Sequence, residues 1–153
     1  SSALAAISGT RFEVEVLGTG AEVDLCSRVA ANLRGLPNVA TVRDWSGLTT
    51  LGRFTEALRR AEVVVGPDAG AIHVAIALRR PTVAVVGGGH YGRFLPWGDP
   101  LINRVVTRRL DCFGCGWRCV RATCECVGTV GADEVATEID AVLRSRGCRT
   151  VSR

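Results

Sequence analysis

The sequence predicts an α/β fold, a Rossmann-like three-layer domain around a parallel sheet, and three observations carry that prediction. Segments of strand character alternate with amphipathic stretches of helical period from Arg11 to Leu143. The run Thr82 to Val86 is almost wholly apolar, as in a strand buried on both faces. Glycine-rich turns stand where strands end, at Gly18-Thr19-Gly20, at Gly66 to Gly70 and at Gly87-Gly88-Gly89. Alternating strands and helices imply right-handed crossovers and a sheet covered on both sides.

In order along the chain, Arg11 to Leu17 alternates Phe12, Val14 and Val16 against Arg11, Glu13 and Glu15, the period-two pattern of a strand with one polar face. Ala21 to Leu33 carries Val23, Leu25, Val29, Ala30 and Leu33 at helical spacing, with Gly35 and Pro37 as the stop. Val39 to Val42 reads as a short strand, Arg43 to Gly47 as a polar loop, and Thr50 to Arg60 as a helix with Leu51, Phe54, Ala57 and Leu58 inward. Glu62 to Val65 is a strand, and Ala71 to Leu78 is helical. Thr82 to Val86 belongs in the middle of the sheet. An aromatic loop, a strand over Asn103 to Thr107, a Cys-rich segment and a helix over Ala132 to Leu143 complete the domain. We place one domain at 1–146 and a loosely held tail at 147–153.

At 153 residues the chain fits one ordinary domain. Its 22% charged and 47% hydrophobic composition excludes a disordered or collagen-like chain. No apolar run is long enough to cross a bilayer, and the start lacks the basic and apolar regions of a signal peptide. The chain begins with Ser and contains no Met, so it is expected to be a processed chain, an excised domain or part of a reading frame. All 19 basic residues are Arg, scattered rather than gathered in a stripe, and the net charge of +4 is mild, so no nucleic-acid partner is expected. The Arg pairs at 59–60 and 79–80 fall at expected helix ends, where the dipole favours them.

Three segments are candidates for chemistry. Gly18-Thr19-Gly20 matches only half of a dinucleotide fingerprint, because Val23 stands where its third glycine belongs. The segment Val63 to His73 is more informative. A strand delivers Asp68 to the carboxyl edge of the sheet as a helix starts; Gly70 admits a ligand to the backbone, the first-turn amides attract anions, and His73 lies one turn in. This reads as a diphosphate cradle; the competing reading makes Asp68 a helix cap and His73 a core histidine. The third segment is Gly87-Gly88-Gly89, where glycines after a buried strand allow backbone approach to a ligand, with His90 and Arg93 able to contact phosphate or sugar hydroxyls; alternatively it is a loop whose His and Arg face water.

The series Asp44-Trp45-Ser46-Gly47-Leu48-Thr49-Thr50-Leu51, then Asp68, Gly70 and His73 as D-x-G-x-x-H, then Gly87 to Phe94, resembles the C-terminal domain of the family 9 glycosyltransferases, the ADP-heptose:lipopolysaccharide heptosyltransferase group. Leu17 to Glu22 is similar to that family's Gly-rich turn with its acidic residue, and Cys112 to Cys126 to its Cys-bearing tail. The resemblance implies the C-terminal half of a GT-B fold, an inverting enzyme that needs no metal or other cofactor for catalysis and holds a nucleotide-sugar donor. It implies that Asp68, Ala69 and Gly70 line the sugar and diphosphate, His73 lies near the phosphates, Glu22 approaches the ribose and Thr49 borders the base. It further implies a glycolipid or glycan acceptor and a cytoplasmic enzyme, peripheral to the inner membrane when complete. The N-terminal domain, which would bind acceptor and supply the base, is absent, and Gly87 to Phe94 follows a variant of the usual family pattern. No residue of this chain is marked as the catalytic base, so it is expected to bind and not to catalyse.

Five of the seven cysteines lie at 112, 115, 119, 124 and 126. A C-x2-C start with two further thiols suits a structural Zn²⁺, with Cys112, Cys115, Cys119 and Cys126 as the chosen set. Disulfides under oxidation and reduced packing thiols are the other readings, while Cys26 and Cys148 read as unpaired. Two alternatives remain: a zinc-stabilised module on this cluster that binds nucleic acid or protein, and a dinucleotide-dependent oxidoreductase.

Overall fold

The computed structural model of the chain describes residues 2–145. The tail expected at 147–153, Arg146 before it, and Cys148 lie outside the described residues. The strands pair in parallel throughout, as the alternating pattern predicts, and they form two sheets, one in each of two compact units that meet in sequence between Arg60 and Ala61.

The first unit holds α1 (Ser2–Ala5), β1 (Phe12–Val16), a 3-10 turn (Gly20–Glu22), α2 (Val23–Arg34), β2 (Val39–Asp44) and α3 (Leu51–Arg60). Strand β1 alternates as read from sequence, with Phe12, Val14 and Val16 less exposed than Glu13 and Glu15. It pairs with β2, Val14 opposite Val42 and Val16 opposite Asp44. The core here is Val16, Cys26, Ala30 and Leu33, packed by Leu4, Val14, Leu36 and Val42. The buried stripe of α2 is therefore Cys26-Ala30-Leu33, a spacing of four then three. Val23, Leu25 and Val29, which share the helical spacing in the sequence, are exposed. A helix only 12 residues long buries one stripe against a two-stranded sheet, and the more apolar residues lost to the smaller ones. Similarly, Leu51 is 79% exposed while Leu58 is buried. Strand β2 runs two residues further than expected, to Asp44, because its partner extends to Val16.

The second unit holds β3 (Val64–Pro67), α4 (Gly70–Ala77), β4 (Thr82–Val85), β5 (Asn103–Val106), a short α5 (Glu125–Gly128) and α6 (Ala132–Ser145). The order β3-β4-β5 puts β4 in the middle, as its apolar run requires, with Thr82, Val83 and Ala84 all buried. Helix α4 packs on β3 and β4, and α6 on β4 and β5. Ile72, Ile76, Ala84, Val86 and Leu95 form the central cluster, while α6 buries Ala136, Ile139 and Val142. Burying a side chain such as Ile139 contributes about 1.5–3 kcal/mol. Arg80, one of the paired arginines, is a strut: its guanidinium donates to the Ala61 carbonyl through Nε at 2.9 Å and also through Nη2. The α5 turn inside the Cys-rich segment has no helical period and was not expected. Among the described residues, no helix is long and apolar enough to cross a membrane.

Candidate functional site

Asp68 and His73 come together at the carboxyl edge of β3. The strand ends at Pro67 and α4 begins at Gly70, with extended Ala69 as its N-cap and no side chain capping it. Asp68 is therefore not the cap; its Oδ1 lies 3.1 Å from His73 Nε2. The other imidazole nitrogen, Nδ1, accepts a 2.9 Å hydrogen bond from the indole N–H of Trp97, and the two rings lie edge to edge and nearly coplanar, with 6.0 Å between centroids and 8° between planes. An indole N–H can only donate, so Nδ1 carries a lone pair and the proton of the neutral ring sits on Nε2, donated to Asp68. The side chains of His73 and Asp68 are 33% and 23% exposed. The imidazole is thus neither a core histidine nor a free phosphate donor, since both nitrogens already have protein partners. Nothing in the sequence marked Trp97, whose partner is 24 residues away; it lay in the aromatic loop.

The triple-glycine turn behaves differently. The expectation that Gly87, Gly88 and Gly89 open the backbone to a ligand is corrected by what fills the space. A Cβ on Gly88 would stand 2.7 Å from the Phe113 ring, and one on Gly89 2.6 Å from the Trp117 ring; Gly87 faces Trp117 at 2.7 Å. All three are buried. Their backbone is also engaged: Gly88 N–H donates to Cys126 Sγ at 3.4 Å, and the carbonyls of Gly88 and Gly89 accept from the amides of Gly114 and Gly116 at 2.9 and 3.0 Å. The glycines make room for the chain's own aromatic rings. His90 meets Phe94 and Trp117 edge-on at 5.9 and 5.7 Å, and exposed Arg93 lies over Phe94 at 5.2 Å. The apolar crevice lined by Gly88, Phe113, Cys115, Trp117 and Cys126 is the seam under this loop and does not include Asp68 or His73.

Glu22 and Thr49 belong to the first unit. Both the amide and the hydroxyl of Thr19 donate to Glu22 Oε2, at 2.8 and 2.7 Å, and these bonds hold the Glu22 carboxyl below the usual range. The acidic residue of the Gly-rich turn therefore closes that turn on itself. Gly18 is required by Cys26, whose Sγ would lie 2.5 Å from a Cβ there. Thr49 is half-buried and precedes Thr50, whose hydroxyl accepts from the amide of Arg53 at the start of α3. Asp44 accepts from the amide and hydroxyl of Ser46 at 3.0 and 2.7 Å, which holds its carboxyl low.

In the Cys-rich segment, burial first and then the neighbouring Cys119, Cys126 and Cys115 push the Cys124 thiol up. Cys112 instead faces Arg121, whose guanidinium is pushed up by Asp111 first and Cys112 next. All five thiols, Cys112 among them, line one crevice. All six described cysteines are free, and among the described residues no three His, Cys, Asp or Glu side chains are arranged to hold a metal ion.

Comparisons with known proteins converge. The family model described as glycosyltransferase family 9 (heptosyltransferase) matches residues 9–115, more than half of the chain and both β3–α4 and the glycine turn. Among solved structures, the ADP-heptose lipopolysaccharide heptosyltransferase II of E. coli superposes with a TM-score of 0.64 at 21% identity, over 89% of this chain and 38% of that one. The dodecameric iron-containing heptosyltransferase TibC, solved in complex with ADP-D-β-D-heptose, gives a TM-score of 0.61 at 19% identity, over 95% of this chain and 50% of that one. No curated protein sequence matches. The chain spans half or less of the length of these two enzymes. At such identities the structures speak for the fold, that of a mixed α/β domain similar to GT-B heptosyltransferases. The family match, covering the strand, turn and helix that carry Asp68 and His73, makes this chain a member of glycosyltransferase family 9, the heptosyltransferase family.

Proposed function

We propose that this chain is the donor-binding portion of an inverting glycosyltransferase and that its Asp68–His73 turn takes an ADP-heptose-like nucleotide-sugar. The observation that carries the reading is the open end of α4: an eight-residue helix with no side-chain cap follows directly from a parallel strand, beside a part-exposed carboxylate. Amides of the first helical turn and the helix dipole stabilise the negative charge that builds on a departing nucleoside diphosphate. Ala69 and Gly70 supply that backbone, and Asp68 accepts hydrogen bonds from sugar hydroxyls. Glu22 and Thr49 stay as candidates for the ribose and the base, and His90 and Arg93 as outer contacts, by resemblance to the family.

An inverting transfer needs a base to take the proton of the incoming acceptor hydroxyl, and the acceptor-binding half that would carry it is not in this chain. The chain alone is therefore a binder, and the complete enzyme acts on a glycolipid or glycan of the cell envelope from the cytoplasmic side, with no resident metal in the transfer. Calorimetry tests this: the 153-residue chain should bind ADP and ADP-heptose with EDTA present. A well-folded chain that binds neither ends the proposal.

A structural metal is a separate matter. Cys119, Cys126 and Cys115 lie near enough to Cys124 to help push its thiol up, and an N–H···S bond from Gly88 to Cys126 suits a thiolate ligand. Their arrangement as described does not fit a metal ion, so a metal there requires the loop to close further. Metal analysis of chain purified under reducing conditions decides it: one zinc or iron per chain supports the site, and none removes it.

A further inference from the structure

We propose that Trp97 is a positioning residue for the donor sugar, acting through His73 on Asp68. The proposal rests on the donor-site reading above. The three side chains form one hydrogen-bonded line: the Trp97 indole donates to His73 Nδ1 at 2.9 Å, and His73 Nε2 donates to Asp68 Oδ1 at 3.1 Å. Each bond orients the next. With both nitrogens occupied, the imidazole plane is set by Trp97 and in turn sets the carboxylate. Asp68 Oδ2 receives no hydrogen bond from the described residues, so it is the oxygen left to accept from a polyol. His73 is thereby a brace for the carboxylate rather than a ligand of phosphate.

The indole is well placed to do this because the chain on either side of it is anchored. Leu95 is buried in the central cluster of the second unit. Gly98 has φ +93, and a Cβ there would stand 2.5 Å from Asn103 Oδ1 and 2.6 Å from Ile76 Cγ2. Asn103, buried, accepts from the Asp99 amide at 3.0 Å and donates to the Arg80 carbonyl and the Thr82 hydroxyl at 2.9 and 3.1 Å. Trp97 itself is 43% exposed, too open for its ring to be explained by core packing alone. An exposed tryptophan held rigid on both sides, with its one polar atom aimed at a histidine, is built to position that histidine.

The test is Trp97→Phe, which keeps an aromatic ring and removes the donor. Calorimetry should show ADP-heptose binding weakened about two- to tenfold, the range of one hydrogen bond, with ADP binding unchanged because ADP has no heptose to reach Asp68. A nitrogen–nitrogen coupling across the hydrogen bond, read by NMR without ligand, should link the Trp97 indole to His73 Nδ1 in the wild type. His73→Leu can neither accept from the indole nor donate to Asp68, so adding Trp97→Phe to it should cost nothing further. Equal losses for ADP and ADP-heptose, no loss for either, absence of the coupling, or an undiminished loss in the His73→Leu background each overturns the proposal. A wild type that binds neither ligand overturns the donor reading along with it, whereas a wild type that binds both without the split overturns this proposal alone.

Discussion

Two neighbouring parallel strands of the second unit end at the same edge, and their turns are finished in opposite ways. Pro67 at the end of β3 pairs with Val85 at the end of β4. After β3 the chain leaves an uncapped helix end, a carboxylate and a part-exposed imidazole. After β4 the three glycines are covered by Phe113 and Trp117, and the carbonyls of Gly88 and Gly89 are taken by the amides of Gly114 and Gly116. In open α/β sheets the carboxyl edge is where ligands bind, yet position alone did not leave both turns open. Absence of a Cβ announces a close approach; it does not say whether a ligand or the protein's own side chain approaches.

Substitutions can break this contrast. The largest effect is expected at Asp68→Asn, which conserves shape and removes the charge. ADP-heptose affinity should fall about ten- to a hundredfold, the scale of a hydrogen bond to a charged group. ADP affinity should hold or improve, because a negative charge near the diphosphate has gone. Parallel losses for both ligands in calorimetry would mean that Asp68 does not meet the sugar. Next comes Gly89→Ala, whose new methyl presses on Trp117. It should lower unfolding free energy by about 1–3 kcal/mol through overpacking, measured by urea denaturation, while leaving ADP affinity below the transition unchanged. If Gly89→Ala abolishes binding without touching stability, the glycine turn is a ligand surface after all.

The smallest effect concerns the first unit, where the acidic residue of the Gly-rich turn is closed on Thr19. Because these bonds depress the Glu22 carboxyl, the charged form is favoured by folding. Their contribution is present above the ordinary glutamate range and fades as pH falls through the depressed value. Glu22→Ala should therefore lower Tm slightly at neutral pH, and the difference from wild type should vanish in acid. A loss of ADP affinity in Glu22→Gln, which retains an acceptor for Thr19, would instead give Glu22 a direct part in holding the ribose.

Much of the fold was legible because it rests on local periodicity. The alternation of Phe12, Val14 and Val16, the unbroken run of β4 and the period of α6 each follow from the geometry of a single element, and each was placed within two residues of its observed bounds. The D-x-G-x-x-H spacing likewise puts Asp68 and His73 either side of one helix start. Less legible was the face that each helix buries: Val23, Leu25 and Val29 fit the helical period as well as Cys26 does, and only the two strands beneath α2 select the Cys26-Ala30-Leu33 stripe. The Cys-rich segment has no period at all, so nothing local in it marks α5.

What this sequence determined by itself was therefore its elements, their parallel alternation and the motif that places it in family 9, all of which depend on residues within a few positions of one another. Tertiary structure alone decided which turn stays open. Trp97 reaches His73 across 24 residues and Trp117 reaches Gly89 across 28, and both contacts arise only after the sheet has brought distant loops to one edge. A backbone period carries no information about such meetings, because the partner is chosen by packing in space and not by spacing along the chain.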